Sequence, residues 1–180
     1  NKISNYEAAL TRVFCATGRR PIQIAGLKVK DLYETDKYKF KDEKKVHVLN
    51  IPKAKLRGAS GFRYAFREVG IRESIVQILF EHTRILKQKL SKEIKRELSE
   101  QEFAELPLFY DFEKLVNLDW ENRHEISEIL PKEIIHLPTV ELIQRLKGAV
   151  RKLGIRSRET GKPIHITAYR FRYTLGTNAA

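Results

Sequence analysis

The sequence predicts a mixed α+β fold that is mainly α-helical and contains a small antiparallel β-sheet. Apolar residues recur at helical spacing near the start of the chain, in its middle and again towards its end. Between Lys28 and Val69 the spacing switches towards two, as in half-buried strands. The chain has 180 residues, which is enough for one domain with a sizeable core and too few for two ordinary domains.

The N-terminal part predicts two helices separated by a turn. Residues 1–16 carry apolar residues at helical spacing, and no cap residue marks the start of this helix. A Thr-Gly pair breaks it. Pro21 suits the first position of a second, short helix, where an N–H would have no partner in any case. Arg20 then lies beside backbone amides that favour an anion; a surface turn with Arg19 and Arg20 both solvated is the alternative.

Strands are predicted next in the chain. Alternating apolar residues indicate one strand over 46–51 and another over 62–66, and an earlier strand is predicted around 31–40. A basic hairpin with glycines, 52–61, joins the last two strands. Such a hairpin can push a lysine against a phosphate, but a solvated hairpin protected against aggregation has the same composition.

The middle of the chain predicts one long amphipathic helix and a less regular segment. The helix covers about 71–90, and charged residues of helical pattern continue to residue 106. Ser99, followed three residues later by Glu102, is a capping signal. The next stretch, up to residue 137, is irregular. We interpret 91–137 as an insertion and assign it no chemistry.

Two further helices are predicted near the end of the sequence. A clear apolar stripe runs from Thr139 to Leu153, and Gly154 suits the position after its last residue. A basic loop leads to a final helix, for which Thr167 is a plausible N-cap. Phe171 and Leu175 have the spacing to reach a core, with Arg172 between them.

The charge of the chain points to a polyanionic partner. Lys and Arg number 35 against 23 Asp and Glu, which gives a net charge of +12. Nucleic acid is the first expectation and an acidic membrane surface the second, since Tyr and Phe are interleaved with the basic residues. No apolar run approaches the length of a membrane span. We therefore expect a cytoplasmic protein that binds nucleic acid.

Cysteine and histidine usage predicts no metal or cofactor. Cys15 is the single cysteine, so neither an internal disulfide nor a cysteine metal cluster can form. Its apolar neighbours favour a buried small side chain. The histidines show no paired spacing typical of metal ligands; they are His47, His82, His124, His136 and His165.

The order and wording of the basic motifs resemble one enzyme family. Residues 16–32, ATGRRPIQIAGLKVKDL, resemble the first box of the tyrosine recombinases, or phage integrases, T-G-x-R-x-x-E-x-x-x-L-x-x-x-D. The resemblance implies the DNA breaking and rejoining catalytic-domain fold over 1–180, apart from the insertion. It makes Arg20 the first catalytic arginine. Gln23 stands where the family has an acidic residue, which alters the support given to that arginine.

The basic hairpin and the final helix extend the resemblance. The hairpin is similar to the family's β2–β3 turn, which carries the catalytic lysine; Lys55, just ahead of the turn glycines, is preferred to Lys53. Residues 169–177, YRFRYTLGT, resemble the second box, H-x-x-R-H-T-x-x-T. Arg172 would then be the second catalytic arginine.

The second box departs from the family at both histidines. Tyr169 and Tyr173 occupy those positions. Tyr169 could donate a hydrogen bond to a phosphate oxygen, but with a reference pKa of about 10 it is a poor base at neutral pH. His165 is nearby and out of register, and remains an alternative for this role.

The resemblance implies site-specific DNA recombination or integration through a covalent 3′-phosphotyrosine, without metal or ATP. Duplex DNA is the implied partner, bound by a tetramer of the full-length protein in a bacterial or phage-derived, nucleoid-associated setting. The family's third box and nucleophilic tyrosine follow the second box, and none of the seven tyrosines here does so at the needed distance. We therefore expect an incomplete catalytic domain that is inactive alone.

The chemistry explains these residue types. Attack on a phosphodiester adds negative charge to the phosphate oxygens, which two arginines can bind with paired hydrogen bonds. A lysine suits the leaving 5′-oxygen, because its proton can be transferred and that of an arginine cannot.

A different class of function also fits the sequence. The changes at Gln23, Tyr169 and Tyr173, with no nucleophile identified, are compatible with a DNA-binding module that has lost catalysis. An RNA-binding or membrane-surface basic domain is a third interpretation.

Overall fold

The computed structural model describes residues 3–37, 46–53, 63, 65–132, 135–164, 167 and 170–171. Helices dominate these ranges, and three strands form a small antiparallel sheet. The predicted class, mainly helical α+β, is therefore confirmed. None of the helices in the described ranges is long and apolar enough to cross a membrane.

The first two helices follow the local signals around them. Helix α1 is Asn5–Thr17. It has a cap, contrary to the prediction: the Ser4 hydroxyl accepts the Glu7 N–H, and the Glu7 carboxylate accepts the Ser4 N–H at 2.9 Å. The start was misplaced because the apolar spacing alone does not mark the first residue. Helix α2 is Pro21–Ala25, as Pro21 predicts.

The sheet has the strand order β1-β2-β3, with β1 Leu32–Thr35, β2 Val46–Pro52 and β3 Phe66–Gly70. A short 3₁₀ helix, Val29–Asp31, leads into β1. The prediction for β3 was wrong in its bounds, since 62–66 overlaps the strand only at Phe66. Pairing decides the bounds: Pro52 faces Phe66 and Val48 faces Gly70. Most of the hairpin between β2 and β3 lies outside the described residues.

The remaining helices confirm the long amphipathic pattern and add shorter pieces. Helix α3 is Glu73–Glu93. Helix α4, Glu100–Glu105, begins at the predicted cap, where Ser99 and Glu102 form a capping box. The stretch predicted to be irregular contains α5, Phe112–Val116, and α6, Arg123–Ile129. Helix α7 is Thr139–Leu153, and it ends at Gly154 with a φ of 64°.

Two apolar clusters form the core. The first joins α1, α2, β2, the first half of α3 and α7. The second joins the last half of α3 to residues 98–135, around Trp120, whose indole N–H donates to the Leu115 carbonyl at 2.7 Å. The stretch 91–137 thus builds much of the second cluster, and its origin as an insertion remains a prediction.

Cys15 does not lie in either cluster. It was predicted to be buried, but its side chain is exposed. The reason is the helical period: α1 turns Ala9, Leu10, Val13 and Phe14 towards the core, which leaves Cys15 on the other side of the helix.

Candidate functional site

Arg20 lies on a tight connection between α1 and α2. Gly18 ends α1 in the left-handed conformation, with a φ of 54°, and its N–H donates to the Phe14 carbonyl at 3.0 Å. The backbone of Arg20 is extended and directly precedes Pro21. The Thr-Gly break and the proline start thereby define the position of the predicted arginine. We call residues 17–20 the arginine turn.

The Arg20 side chain is half-buried. Across the described ranges, no carboxylate forms an ion pair with its guanidinium and no carbonyl accepts from it. Arginines near a protein core usually have a carboxylate partner, because leaving the charge unpaired is costly.

Gln23 connects the arginine turn to the sheet. Its side-chain oxygen accepts the Arg20 backbone N–H at 3.2 Å. Its amide nitrogen donates to the Pro52 carbonyl at 2.7 Å, across 29 residues of sequence. Gln23 therefore contacts the last residue of β2.

Lys53 follows Pro52 and is exposed. Its backbone N–H donates to the Ala65 carbonyl at 2.8 Å, so the β2–β3 ladder continues past the strand ends. We call residues 52–53 and 65–66 the hairpin legs. Lys55, the preferred lysine of the sequence analysis, lies outside the described residues.

A buried ion pair lies beside the hairpin legs. Arg63 donates to both carboxylate oxygens of Asp31, at 2.8 and 2.9 Å, and also to the Gly26 carbonyl. Asp31 is only 3% exposed, and it accepts the Lys28 backbone N–H at 2.7 Å. Every oxygen of this carboxylate therefore has a donor, as a buried charge requires.

Sequence reasoning missed this pair. Asp31 is the last residue of the first-box pattern, which is a usable signal, but the resemblance gave it no role. Nothing in the local sequence indicates that Arg63 is its partner, since 32 residues separate the two. The pair matters for the site because it ties the hairpin to the segment that follows α2.

Of the predicted final helix, residues 167 and 170–171 lie within the described part of the chain, and Phe171 contacts α1. The Arg170 N–H donates to the Thr167 hydroxyl at 3.4 Å and to the Thr167 carbonyl at 2.9 Å, which supports the predicted cap. The Phe171 ring packs on the Phe14 ring, with centroids 6.0 Å apart, so Phe171 reaches the core as predicted. Of the other predicted positions in this segment, Tyr169, Arg172 and the alternative His165 lie outside the described residues.

A buried histidine, His136, contacts the last residue of α2, and a buried lysine, Lys28, lies in the segment that follows α2. The His136 ring donates from Nδ1 to the Ala25 carbonyl at 2.7 Å, and its Nε2 is buried with no partner in the described ranges. Burial lowers the pKa of His136 to about 4. Burial also lowers the pKa of the Lys28 ammonium, which lies 1% exposed. Neither group faces solvent, so neither is placed to exchange protons with a substrate.

Metal ligands do not cluster in the described ranges, where no group of three or more His, Cys, Asp or Glu side chains could hold an ion. The chemistry that the described site offers is cationic: Arg20 in the turn and exposed Lys53 on the adjoining hairpin leg. These groups suit binding of a phosphate.

The arrangement brings together three segments that are distant in sequence. The arginine turn meets the hairpin leg through Gln23, and α1 meets the final helix through Phe14 and Phe171. Comparison with known proteins adds no identity to this arrangement: no family model, no curated protein and no solved structure matches the chain.

Proposed function

We propose that this chain is a catalytic domain of the tyrosine recombinase type, which cuts and rejoins duplex DNA. The observation that carries the proposal is the half-buried Arg20, whose guanidinium has no carboxylate partner among the described residues, on a turn that Gln23 bonds to the last residue of β2. A recombinase needs its first arginine and its hairpin lysine at one phosphate. The contact of Phe171 with Phe14 on α1, the helix that ends at the arginine turn, also supports the proposal.

Each residue has a defined role in the proposed step. A tyrosine hydroxyl loses its proton to solvent as its oxygen attacks the phosphorus, a phosphotyrosine bond forms at the 3′ end, and the bond to the 5′-oxygen breaks. Arg20 and Arg172 bind the non-bridging oxygens, whose negative charge increases in the transition state. Lys55 gives a proton to the leaving oxygen, and Tyr169 donates a hydrogen bond to the phosphate. Rejoining reverses these transfers, so the energy of the broken bond is kept.

The test uses a nicked duplex that traps the covalent protein–DNA complex, followed on a denaturing gel. The assay needs a tyrosine after the second box, so it is run on the protein as its gene encodes it. We expect R20A to lower the rate of attachment by at least about 100-fold, because stabilisation of transition-state charge is lost. R20K should fail similarly, because lysine cannot form the planar pair of hydrogen bonds.

The control is R123A, which removes an exposed arginine from α6 in the region of the second cluster. It lowers the net charge equally and should leave attachment nearly unchanged. Attachment by R20A at the rate of the unmodified protein would contradict the proposal.

One observation favours a second candidate, a DNA-binding module without catalysis. Gln23 replaces the acidic residue that supports the first arginine in the family, and Tyr169 and Tyr173 replace its two second-box histidines. This candidate predicts duplex binding that weakens with salt, while the nicked substrate yields no covalent complex with the gene-encoded protein. The same gel therefore separates the two functions.

A further inference from the structure

Gln23 makes two hydrogen bonds of opposite sense. It accepts from the Arg20 backbone N–H and donates to the Pro52 carbonyl, at 3.2 and 2.7 Å. Only a side chain with both a donor and an acceptor can do this. A carboxylate at position 23 could accept from Arg20, but it would face the Pro52 carbonyl with no proton to donate. The glutamine is therefore fitted to a contact that the family's acidic residue could not make.

The contact fixes the first hairpin leg to the arginine turn. Pro52 has no N–H and ends β2, and the next residue, Lys53, continues the pairing by donating its N–H to the Ala65 carbonyl. Because Gln23 is bonded to the residue directly before Lys53, the backbone at Lys53 is tied to the backbone at Arg20 through one side chain.

The second side of the hairpin has its own attachment. Arg63 is bonded to Asp31 and to the Gly26 carbonyl, and its guanidinium lies 5.1 Å from the centre of the Phe66 ring. This ion pair is buried, with side-chain exposures of 12% and 4% for Arg63 and Asp31. This side is held independently. Removal of the two Gln23 hydrogen bonds should therefore release the first leg from the arginine turn without detaching the second side.

We propose that Gln23 is a positioning residue, which holds Lys53 and Arg20 at a separation that lets both engage the phosphates of one duplex. The inference rests on the proposed function for its ligand. It assigns to Gln23 a role in orienting the hairpin. Lys53 lies within the described residues, and its contribution to DNA binding is the quantity that measures this role.

The test is a double-mutant cycle on duplex DNA affinity over a series of salt concentrations, with Q23M and K53A alone and combined. Methionine keeps the length of glutamine and removes both hydrogen bonds without changing the charge. We expect Q23M to reduce the slope of log affinity against log salt by about 0.9, because the protein then neutralises one phosphate fewer. K53A should lower affinity in the unmodified chain and change little in the Q23M background.

The matched control is Q88M on α3, where the glutamine is exposed and its side-chain oxygen accepts from Arg84 at 3.0 Å. This substitution also removes a side-chain hydrogen bond and should leave the salt slope unchanged. A purely structural role for Gln23 would lower the midpoint of thermal unfolding, but it would not make the effect of K53A depend on residue 23. Equal effects of K53A in both backgrounds would therefore overturn the inference.

The proposed function can fail separately. If the unmodified chain binds no duplex DNA, the proposed function is overturned, and amide hydrogen exchange of Lys53 decides the positioning role. This amide donates to the Ala65 carbonyl at 2.8 Å. Faster exchange in Q23M than in Q88M would support the role, and equal exchange would overturn it.

Discussion

Main-chain carbonyls are the partners of several buried polar side chains in this protein. The His82 ring donates from Nε2 to the Leu108 carbonyl at 2.7 Å, and the His136 ring donates from Nδ1 to the Ala25 carbonyl. Because a carbonyl only accepts, each of these ring nitrogens must carry a hydrogen. Burial lowers the pKa of His82, as it does that of His136. Both histidines therefore favour the neutral form in the folded state.

His136 should make the folding stability depend on pH in a defined window. Its pKa is about 4 in the folded protein, against an ordinary value of 6.5. Between these values the unfolded chain binds a proton that the folded chain does not, so stability is complete above pH 6.5 and falls as the pH drops towards 4. The loss amounts to about 3 kcal/mol over the window. Urea unfolding at a series of pH values measures it.

H136N isolates this effect, since the asparagine amide can still donate towards Ala25 but does not titrate. We expect H136N to be less stable than the unmodified chain at pH 7, because a smaller side chain leaves a cavity. Its decline between pH 6.5 and 4 should be smaller than that of the unmodified chain, because only the buried His82 still contributes. H124N, at an exposed site on α6, should keep the decline. A full decline in H136N would refute the assignment to His136.

At the scale of elements, α7 has one glycine inside it and one directly after its last residue, in opposite situations. Gly154 ends the helix with a φ of 64°, and Gly148 lies inside it. A Cβ atom at either position would meet no atom within 4 Å, so only backbone conformation separates the two substitutions.

The same change should therefore have opposite signs at these glycines. G154A should cost about 1 kcal/mol, because L-residues are strained in the left-handed region. G148A should stabilise the protein by about 0.5–1 kcal/mol, because alanine favours the helix interior. Midpoints of thermal unfolding compare the two variants directly. A shift in the same direction for both would contradict this account.

Elements with local signals were predictable from the sequence, and the bounds of β3 were not. Pro21, the Ser99–Glu102 capping box and Gly154 each act through neighbouring backbone groups, and each marks a helix end in the structure. The bounds of β3 depend on which residues face β2, and its partners begin at Pro52. That register is a long-range property, so the alternation of residues 62–66 could not reveal it.

At the scale of the whole molecule, Lys28 connects the two apolar clusters. Its ammonium donates to the Glu105 carboxylate at 2.7 Å and to the carbonyls of Leu130 and Pro131 at 2.8 and 2.9 Å. All three N–H groups are thereby satisfied in a buried site. The Lys28 backbone also lies in a bridge with Pro107, which brings the end of α2 against the segment after α4.

Removing this ammonium should weaken the connection between the two clusters and lower the free energy of unfolding. K28M leaves two carbonyls and one carboxylate oxygen without their donor, and we expect a loss of about 3–5 kcal/mol in the free energy of unfolding. K30M is the matched control: Lys30 contacts the same Glu105, but its side chain is 45% exposed, and its loss should cost less than about 1 kcal/mol. Urea unfolding distinguishes the two variants. Equal costs would show that the burial of Lys28 carries no special weight.

The candidate site was predictable in its parts and not in its connections. The sequence of the first box singled out Arg20. In the described ranges its guanidinium has no carboxylate partner. The bonds from Gln23 to Pro52 and from Arg63 to Asp31 span about thirty residues each, since they depend on how the sheet docks on α2. Tertiary contacts of this kind have no local pattern in the sequence.

The packing of α1 and α7 in the first cluster has a consequence for how the protein is synthesised. Helix α1 ends at Thr17, whereas α7, its partner in the first cluster, begins at Thr139. At about 5–20 residues per second, translation of the intervening chain takes roughly ten seconds. During that time the apolar face of the nascent first helix has no α7 to cover it, which makes it a natural binding site for ribosome-associated chaperones. Helix α1 thus acquires its full set of neighbours only long after it has left the ribosome.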